Sequence, residues 1–263
     1  IYLLHYFYYH LNIDINYMKL TKKQQNSFKN NGYLVIKNFF SKEQCSKVIK
    51  IINQINKKKQ INELDKDHPF SKINSKSKVI IFSKKKNFQI NKIIKPKKIL
   101  DIASKIKKTE MKEWFKKLYL KNAFDGDNEF YHQDYAYHFE KKAKNKDYLQ
   151  LFVAFQNHTV NSGCLRVFKG SHKIGLIKHH SVMTRNGLSK LTPKSEVLKK
   201  IAKKYDLINL ELKAGSCVFF DYLLLHGSSS NASEYDQIRM VYQMLAKNNT
   251  RDDNANKGVW KKR

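Results

Sequence analysis

Arginine is scarce in this chain of 263 residues. Only Arg166, Arg185, Arg239, Arg251 and Arg263 are present, so 47 of the 52 basic residues are Lys, against 22 acidic residues and a formal charge of +30. A surface that basic invites a nucleic-acid or anionic-membrane reading, because phosphate polymers are held through counterion release. Base reading, however, favours the Arg that is nearly missing. Lys, Asn and Ile are all abundant, as expected when A/T-rich codons fill a surface indifferently. The expected partner is therefore a small-molecule substrate, with an acidic or phosphorylated one the second use of the charge and nucleic acid disfavoured.

Cysteine is equally sparse. Cys45, Cys164 and Cys217 form no close pair, which argues against a disulfide framework or a zinc knuckle, fits a reducing cytoplasm, and reads as small buried core residues. Long apolar runs are missing too. The first 17 residues are aromatic but lack a basic start and a small-residue cleavage site, and they are too short to span a bilayer. Met18 stands directly before the first patterned segment. The organisation expected is an extension at 1–17 outside the fold, one domain over 18–246 and a polar tail over 247–263, with no internal repeat. At 41% apolar content one sizeable core can be buried.

What is present is a small set of side chains. His132 and Asp134 lie in Phe130-Tyr-His-Gln-Asp-Tyr-Ala-Tyr137, and His226 lies in Leu223-Leu-Leu-His-Gly-Ser-Ser229. Two imidazoles and a carboxylate hold ferrous iron on one face and leave the opposite face open for oxygen and a cosubstrate. A His two positions before an acid also arises by chance, and His138-Phe139-Glu140 is a rival pair that runs into Lys141 to Lys146. His132-Gln133-Asp134 is better placed, after the turn Asp125-Gly126-Asp127, since side chains two apart on a strand share a face. His226 is expected to end an apolar strand begun at Cys217, and Arg239 to stand at the start of another. A planar guanidinium grips a carboxylate with two parallel hydrogen bonds, which suits Arg239 to an anionic cosubstrate.

Taken together, these residues resemble the phytanoyl-CoA dioxygenase family of iron(II)- and 2-oxoglutarate-dependent oxygenases, which includes ectoine hydroxylase-like enzymes. The pieces, in order, are Leu20 to Ile36, the His-Gln-Asp segment, Asn161-Ser-Gly-Cys-Leu-Arg-Val-Phe-Lys-Gly-Ser-His172, His226-Gly-Ser228, and Asn231 to Arg239. The resemblance implies a mainly β fold, a double-stranded β-helix or jelly-roll barrel with flanking helices. It implies His132, Asp134 and His226 as catalytic iron ligands, with Arg239 and Ser228 on the distal carboxylate of 2-oxoglutarate. Lys78 falls where relatives place a lysine contacting the cosubstrate, with Lys76 and Lys121 as rivals, and Phe152 near an aromatic position that packs against it. The cofactors implied are Fe(II), 2-oxoglutarate and O2, and the activity is hydroxylation of an unactivated C–H bond with release of succinate and carbon dioxide. Two departures stand out: Lys169 where Pro is usual before Gly-Ser-His, and a longer spacing from His226 to Arg239.

Local patterns fill in the elements. Thr21 to Asn31 reads as a Thr-capped helix stopped by Gly32, and Tyr33 to Lys37 as a strand. Ser41-Lys-Glu-Gln44 is a capping box opening a helix with Cys45, Val48, Ile49, Ile52 and Ile55 on one face. Pro96 starts a helix to about Lys108. Strands are expected at Trp114–Asn122, Phe130–Tyr137, Tyr148–Gln156, Cys164–Phe168, Asn209–Leu212, Ser216–Leu225 and Gln237–Ala246. Lys173 to Tyr205 is too long for a hairpin and is expected to carry a helix near Ser195 to Lys204 and to cover the barrel mouth. Tyr135, Tyr137 and Phe139 are candidates to line a cavity, while His172, His179 and His180 read as structural.

Overall fold

A computed structural model describes residues 20–57, 77–80, 84–124, 128–137, 148–183 and 189–249, with side chains described for all but 55–57, 77–80 and 84–87. The expected extension at 1–17, most of the polar tail, Lys76, Phe139, the rival pair at 138 and 140, and the turn 125–127 lie outside the described residues, as do the side chains of Ile55 and Lys78. No described helix is long and apolar enough to cross a membrane.

Two sheets face each other. The larger contains β1 (Tyr33–Ile36), β2 (Ser77–Ile80), β3 (Met111–Lys121), β5 (Tyr148–Ala154), β10 (Cys217–Phe220) and β12 (Gln237–Ala246), in the order β1-β10-β5-β12-β3-β2. The smaller has the order β4-β11-β6-β9, from β4 (Glu129–His132), β6 (Leu165–Phe168), β9 (Leu207–Leu210) and β11 (His226–Ser228). This is the jelly-roll expected from the sequence. A separate hairpin pairs β7 (His179–Met183) with β8 (Ser189–Pro193).

Period-two alternation sorts the strand residues between two cores. Leu118, Leu120, Leu149, Leu151, Val153, Cys217, Phe219, Met240 and Tyr242 point outward, where they meet Val48, Ile52, Ile90, Ile94, Ile99, Ile102 and Ala103. Those helical residues come from α2 (Lys42–Lys57), α3 (Lys84–Ile94) and α4 (Pro96–Lys107). Each buried Ile or Leu stabilises the stack by about 1.5–3 kcal/mol. Phe152, Ala154, Val218, Phe220 and Val241 point inward and meet Leu165, Val167 and Leu210 of the smaller sheet. The inward rows of β3 and β12 also carry Tyr119, Lys121 and Arg239, so the polar equipment is inside the barrel.

The first helix, α1 (Lys22–Asn31), has the expected Thr21 cap and ends at Gly32, whose φ of 81° suits glycine. Other boundaries differ from expectation. The strand expected over Phe130–Tyr137 stops at His132, and Asp134–Tyr137 forms a 3-10 turn closed by Ala136 N donating to the Gln133 carbonyl at 3.0 Å. His132 and Asp134 therefore do not share a strand face. Nor does His226 end the strand begun at Cys217. Asp221 breaks it, its carboxylate accepting from Leu223 N at 2.9 Å and its carbonyl from Leu224 N at 3.0 Å, and the chain crosses to the other sheet as β11. The segment 173–205 holds the expected helix, α5 (Ser195–Lys204), and also the β7–β8 hairpin, which the sequence pattern did not show.

Candidate metal centre

β11 pairs with β4 so that His226 stands opposite His132. Their rings lie 4.3 Å apart between centroids. The turn after β4 brings Asp134 to both: Oδ1 is 3.5 Å from His132 Nε2, and Oδ2 is 3.8 Å from His226 Nε2. One ligand atom from each residue falls within 4.8 Å of the other two, and all three side chains are buried. Groups bound at right angles to one metal, each about 2.1 Å away, would be about 3 Å apart, so modest tightening closes this set on an ion.

The polar contacts around the triad orient it for that purpose. His132 Nδ1 bonds the Phe130 carbonyl at 2.7 Å and His226 Nδ1 bonds the Leu224 carbonyl at 2.9 Å. A carbonyl only accepts, so each Nδ1 carries the proton and each Nε2 lone pair faces the centre. Asp134 Oδ2 is buried with no hydrogen-bond partner, an unusual state for a carboxylate oxygen unless a cation is its partner. Burial raises the Asp134 pKa, but the imidazoles of His226 and His132 outweigh it and hold the carboxyl at about 2. Burial and the neighbouring His132 push His226 down to about 4. Burial lowers His132 as well, yet the adjacent Asp134 carboxylate leaves it raised overall.

Gln133, between the two ligand positions, is fully buried and was given no role by the sequence. Its amide nitrogen donates to Gly175 O at 2.8 Å and Leu223 O at 2.7 Å, and its amide oxygen accepts from Ile177 N at 2.8 Å. Its backbone N–H donates to His179 Nε2 at 3.1 Å. Gly227 sits between His226 and Ser228. A Cβ there would come within 2.7 Å of the Glu129 carbonyl, so only glycine lets β11 approach β4 this closely.

Arg239 is 5% exposed and inside the barrel. Its guanidinium carbon lies 5.4 Å from the Tyr119 ring centroid and 5.5 Å from that of Phe152. Its Nε is buried without a partner, and among the described residues no carboxylate forms an ion pair with it. Ser228 faces the same interior, where Lys121, 2% exposed, donates to Ser228 Oγ at 2.8 Å and to the Ser229 carbonyl. Both cations are buried, and both lie close enough to act on the His158 ring. Of the lysines weighed from the sequence, Lys121 is found beside Ser228; the Lys78 backbone lies on the edge strand β2 opposite Leu120. Lys117, Tyr119 and Lys121 alternate with Leu118 and Leu120 at the end of β3.

Near the mouth, Glu129 Oε2 pairs with Lys190 Nζ of the hairpin at 2.8 Å. Burial raises the Glu129 pKa, while Lys190 and His132 more than compensate and hold it at about 2. Tyr137 stands edge-on to His132 at 5.8 Å, and its hydroxyl accepts from Leu191 N at 3.0 Å. The hairpin therefore closes over the triad. Tyr135 instead packs with Tyr148 and Tyr222. His172 Nε2 bonds Lys29 O at 3.1 Å, away from the centre.

A jelly roll with a buried His-Asp-His set and an inward arginine defines a class, the non-haem metal oxygenases that take a dicarboxylate cosubstrate. The sequence model described as phytanoyl-CoA dioxygenase matches residues 28–241, and this chain belongs to that family. It is a 2-oxoglutarate-dependent dioxygenase whose metal is iron. The ectoine dioxygenase of Bordetella bronchiseptica is 22% identical over 236 residues, covering 86% of this chain and 76% of that protein. EctD from S. alaskensis, solved with 2-oxoglutarate and 5-hydroxyectoine, superposes with a TM-score of 0.70 at 20% identity, covering 86% of this chain and 76% of its own. The same protein with bound Fe gives 0.65 at 21% identity, covering 86% and 77%. At such identities the structures show a shared fold.

Proposed function

We propose that this protein hydroxylates an unactivated C–H bond of a small molecule, coupled to conversion of 2-oxoglutarate to succinate and carbon dioxide. The observation that carries the reading is the pairing of the buried triad with Arg239, a buried guanidinium whose Nε has no hydrogen-bond partner. His132 and His226 would ligate iron through Nε2, and Asp134 supplies one negative charge. Three protein ligands leave positions for a chelating keto acid and oxygen. When bound, iron supplies oxygen activation. Arg239 binds the distal carboxylate of the cosubstrate, Ser228 donates to it, and Lys121 adds a second positive charge. Phe152 and Tyr119 flank the guanidinium and keep water from it, strengthening the ionic contact in a low dielectric.

Substrate enters on the hairpin side. On that side Glu129 pairs with Lys190, and Tyr137 stands beside His132 and accepts from Leu191 N, giving the approach charge of both signs. The relatives named as ectoine dioxygenases support a small polar substrate of this kind. The decisive experiment adds iron and 2-oxoglutarate anaerobically. A weak visible charge-transfer band is expected, followed by substrate-dependent succinate release when oxygen is admitted. Hydrolytic turnover with zinc alone, and no band with iron, would overturn the reading.

A further inference from the structure

One buried imidazole takes no part in the metal centre. His158 follows β5, is 1% exposed, and has its backbone fixed by two hydrogen bonds with Leu212, at 2.8 and 2.9 Å. Its ring stands edge-on to Phe152 with 5.4 Å between centroids, and Phe152 is the ring that flanks Arg239. The charged groups that face it are Arg239 on β12 and Lys121 on β3. Neither ring nitrogen has a hydrogen-bond partner. The Ile238 backbone lies near, without completing a bond of acceptable geometry.

A buried imidazole is costly when its nitrogens are unpaired, and the neighbouring Phe152 and Leu212 show that this part of the barrel accepts apolar side chains. A polar ring beside two buried cations is instead suited to an anion. We infer that His158 is a third group binding the distal carboxylate of 2-oxoglutarate, donating an N–H hydrogen bond beside Arg239 and the Ser228–Lys121 pair. This rests on the cosubstrate reading given above. Burial, then the charge of Arg239, depresses the His158 pKa to about 3. The ring is thus a neutral donor at physiological pH and adds no third positive charge to the pocket. A site built this way selects keto acids that carry a second carboxylate.

The test compares His158→Phe with the native protein, each loaded anaerobically with Fe(II) and titrated through the charge-transfer band. Phe keeps the ring and removes both nitrogens. The expected result is a loss of about tenfold in affinity for 2-oxoglutarate, as for one hydrogen bond to a charged group. Affinity for 2-oxopentanoate, which has a methyl group in place of the distal carboxylate, should be unchanged, and the thermal midpoint of the apoprotein should not fall. His158→Gln, which keeps an N–H donor, should recover most of the lost affinity. His158→Met replaces the Phe variant if the latter fails to fold. Equal 2-oxoglutarate affinity in native protein and variant, or equal losses for both keto acids, would overturn the assignment. Native protein that binds no 2-oxoglutarate at all would instead sink the underlying reading of the site.

Discussion

The Gln133 side-chain nitrogen donates to the Leu223 carbonyl at 2.7 Å, tying the segment that carries His132 and Asp134 to the one that leads into His226. These segments lie in different parts of the chain and meet through β4–β11 pairing, through this amide and through Tyr135 N donating to the Tyr222 carbonyl at 3.0 Å. Gln133→Leu leaves the Gly175 and Leu223 carbonyls and the Ile177 N–H without their partner, destabilising the fold by about 1–3 kcal/mol. Because the ligand segments lose their common support, metal affinity should fall by roughly 10–100-fold. Cobalt titration alongside thermal melting measures both, and a metal affinity equal to native would show that β pairing alone positions the triad.

Substituting a ligand position separates folding from chemistry. His132→Ala and Asp134→Ala are each expected to abolish substrate-dependent succinate release while the protein still melts cooperatively. Asp134 oxygens have no partners beyond the two imidazoles among the described residues. Removing this side chain therefore costs the fold little. Retained turnover in either variant would count against the metal assignment.

Arg239→Lys keeps the positive charge and loses the planar fork. Affinity for 2-oxoglutarate should drop by about tenfold or more, with iron affinity unchanged. Anaerobic titration of the charge-transfer band checks this, and an unchanged dissociation constant would move the carboxylate elsewhere in the barrel.

Acid stability should follow the buried imidazoles. Burial lowers His158 to about 3 and His179 to about 4, from an ordinary value of 6.5. Between those values and 6.5 the unfolded chain holds protons that the folded protein releases, so stability rises with pH across the window and is flat above it. His158 contributes up to about 1.4 kcal/mol per pH unit there, and the more exposed, solvent-screened His179 contributes less. Melting of the apoprotein from pH 7 to 4.5 should show a falling midpoint, with a shallower slope in His158→Phe. Identical slopes would mean that His158 is accessible to protons in the folded state.

Lys121→Met removes the donor to Ser228 Oγ and the Ser229 carbonyl and deletes one of two cations at the carboxylate end. Weaker 2-oxoglutarate binding with little change in affinity for 2-oxopentanoate is expected. Equal loss for both would indicate that Lys121 only braces β11.

Much of this molecule was legible because its signals are local. The Thr21 and Ser41 caps, the apolar stripe of α2 and the mainly apolar runs of β5 and β12 each depend on residues a few positions apart. Residue chemistry also marked out His132, Asp134, His226 and Arg239, since few other roles suit an arginine in an apolar strand or a His-x-Asp pair after a turn, while Ser228 came from the family resemblance. What could not be read was where strands stop. His132 and Asp134 were expected on one strand face, yet the Gln133 contacts to residues 175, 177 and 223 turn the chain between them. Those partners are 42 to 90 positions away, beyond any periodicity. The same holds for Asp221, which ends β10 through its own turn while its backbone N–H is held by Gly32 O at 2.9 Å.

The sequence by itself determined which chemistry is possible, because side-chain identity fixes what can bind a metal or grip a carboxylate. Tertiary structure alone decided that β11 lies against β4, that Lys121 stands beside Ser228, and that His158 is enclosed next to Phe152 and Arg239. Each of these depends on which strands become neighbours, and that is settled by burying two apolar faces at once rather than by any single stretch of chain.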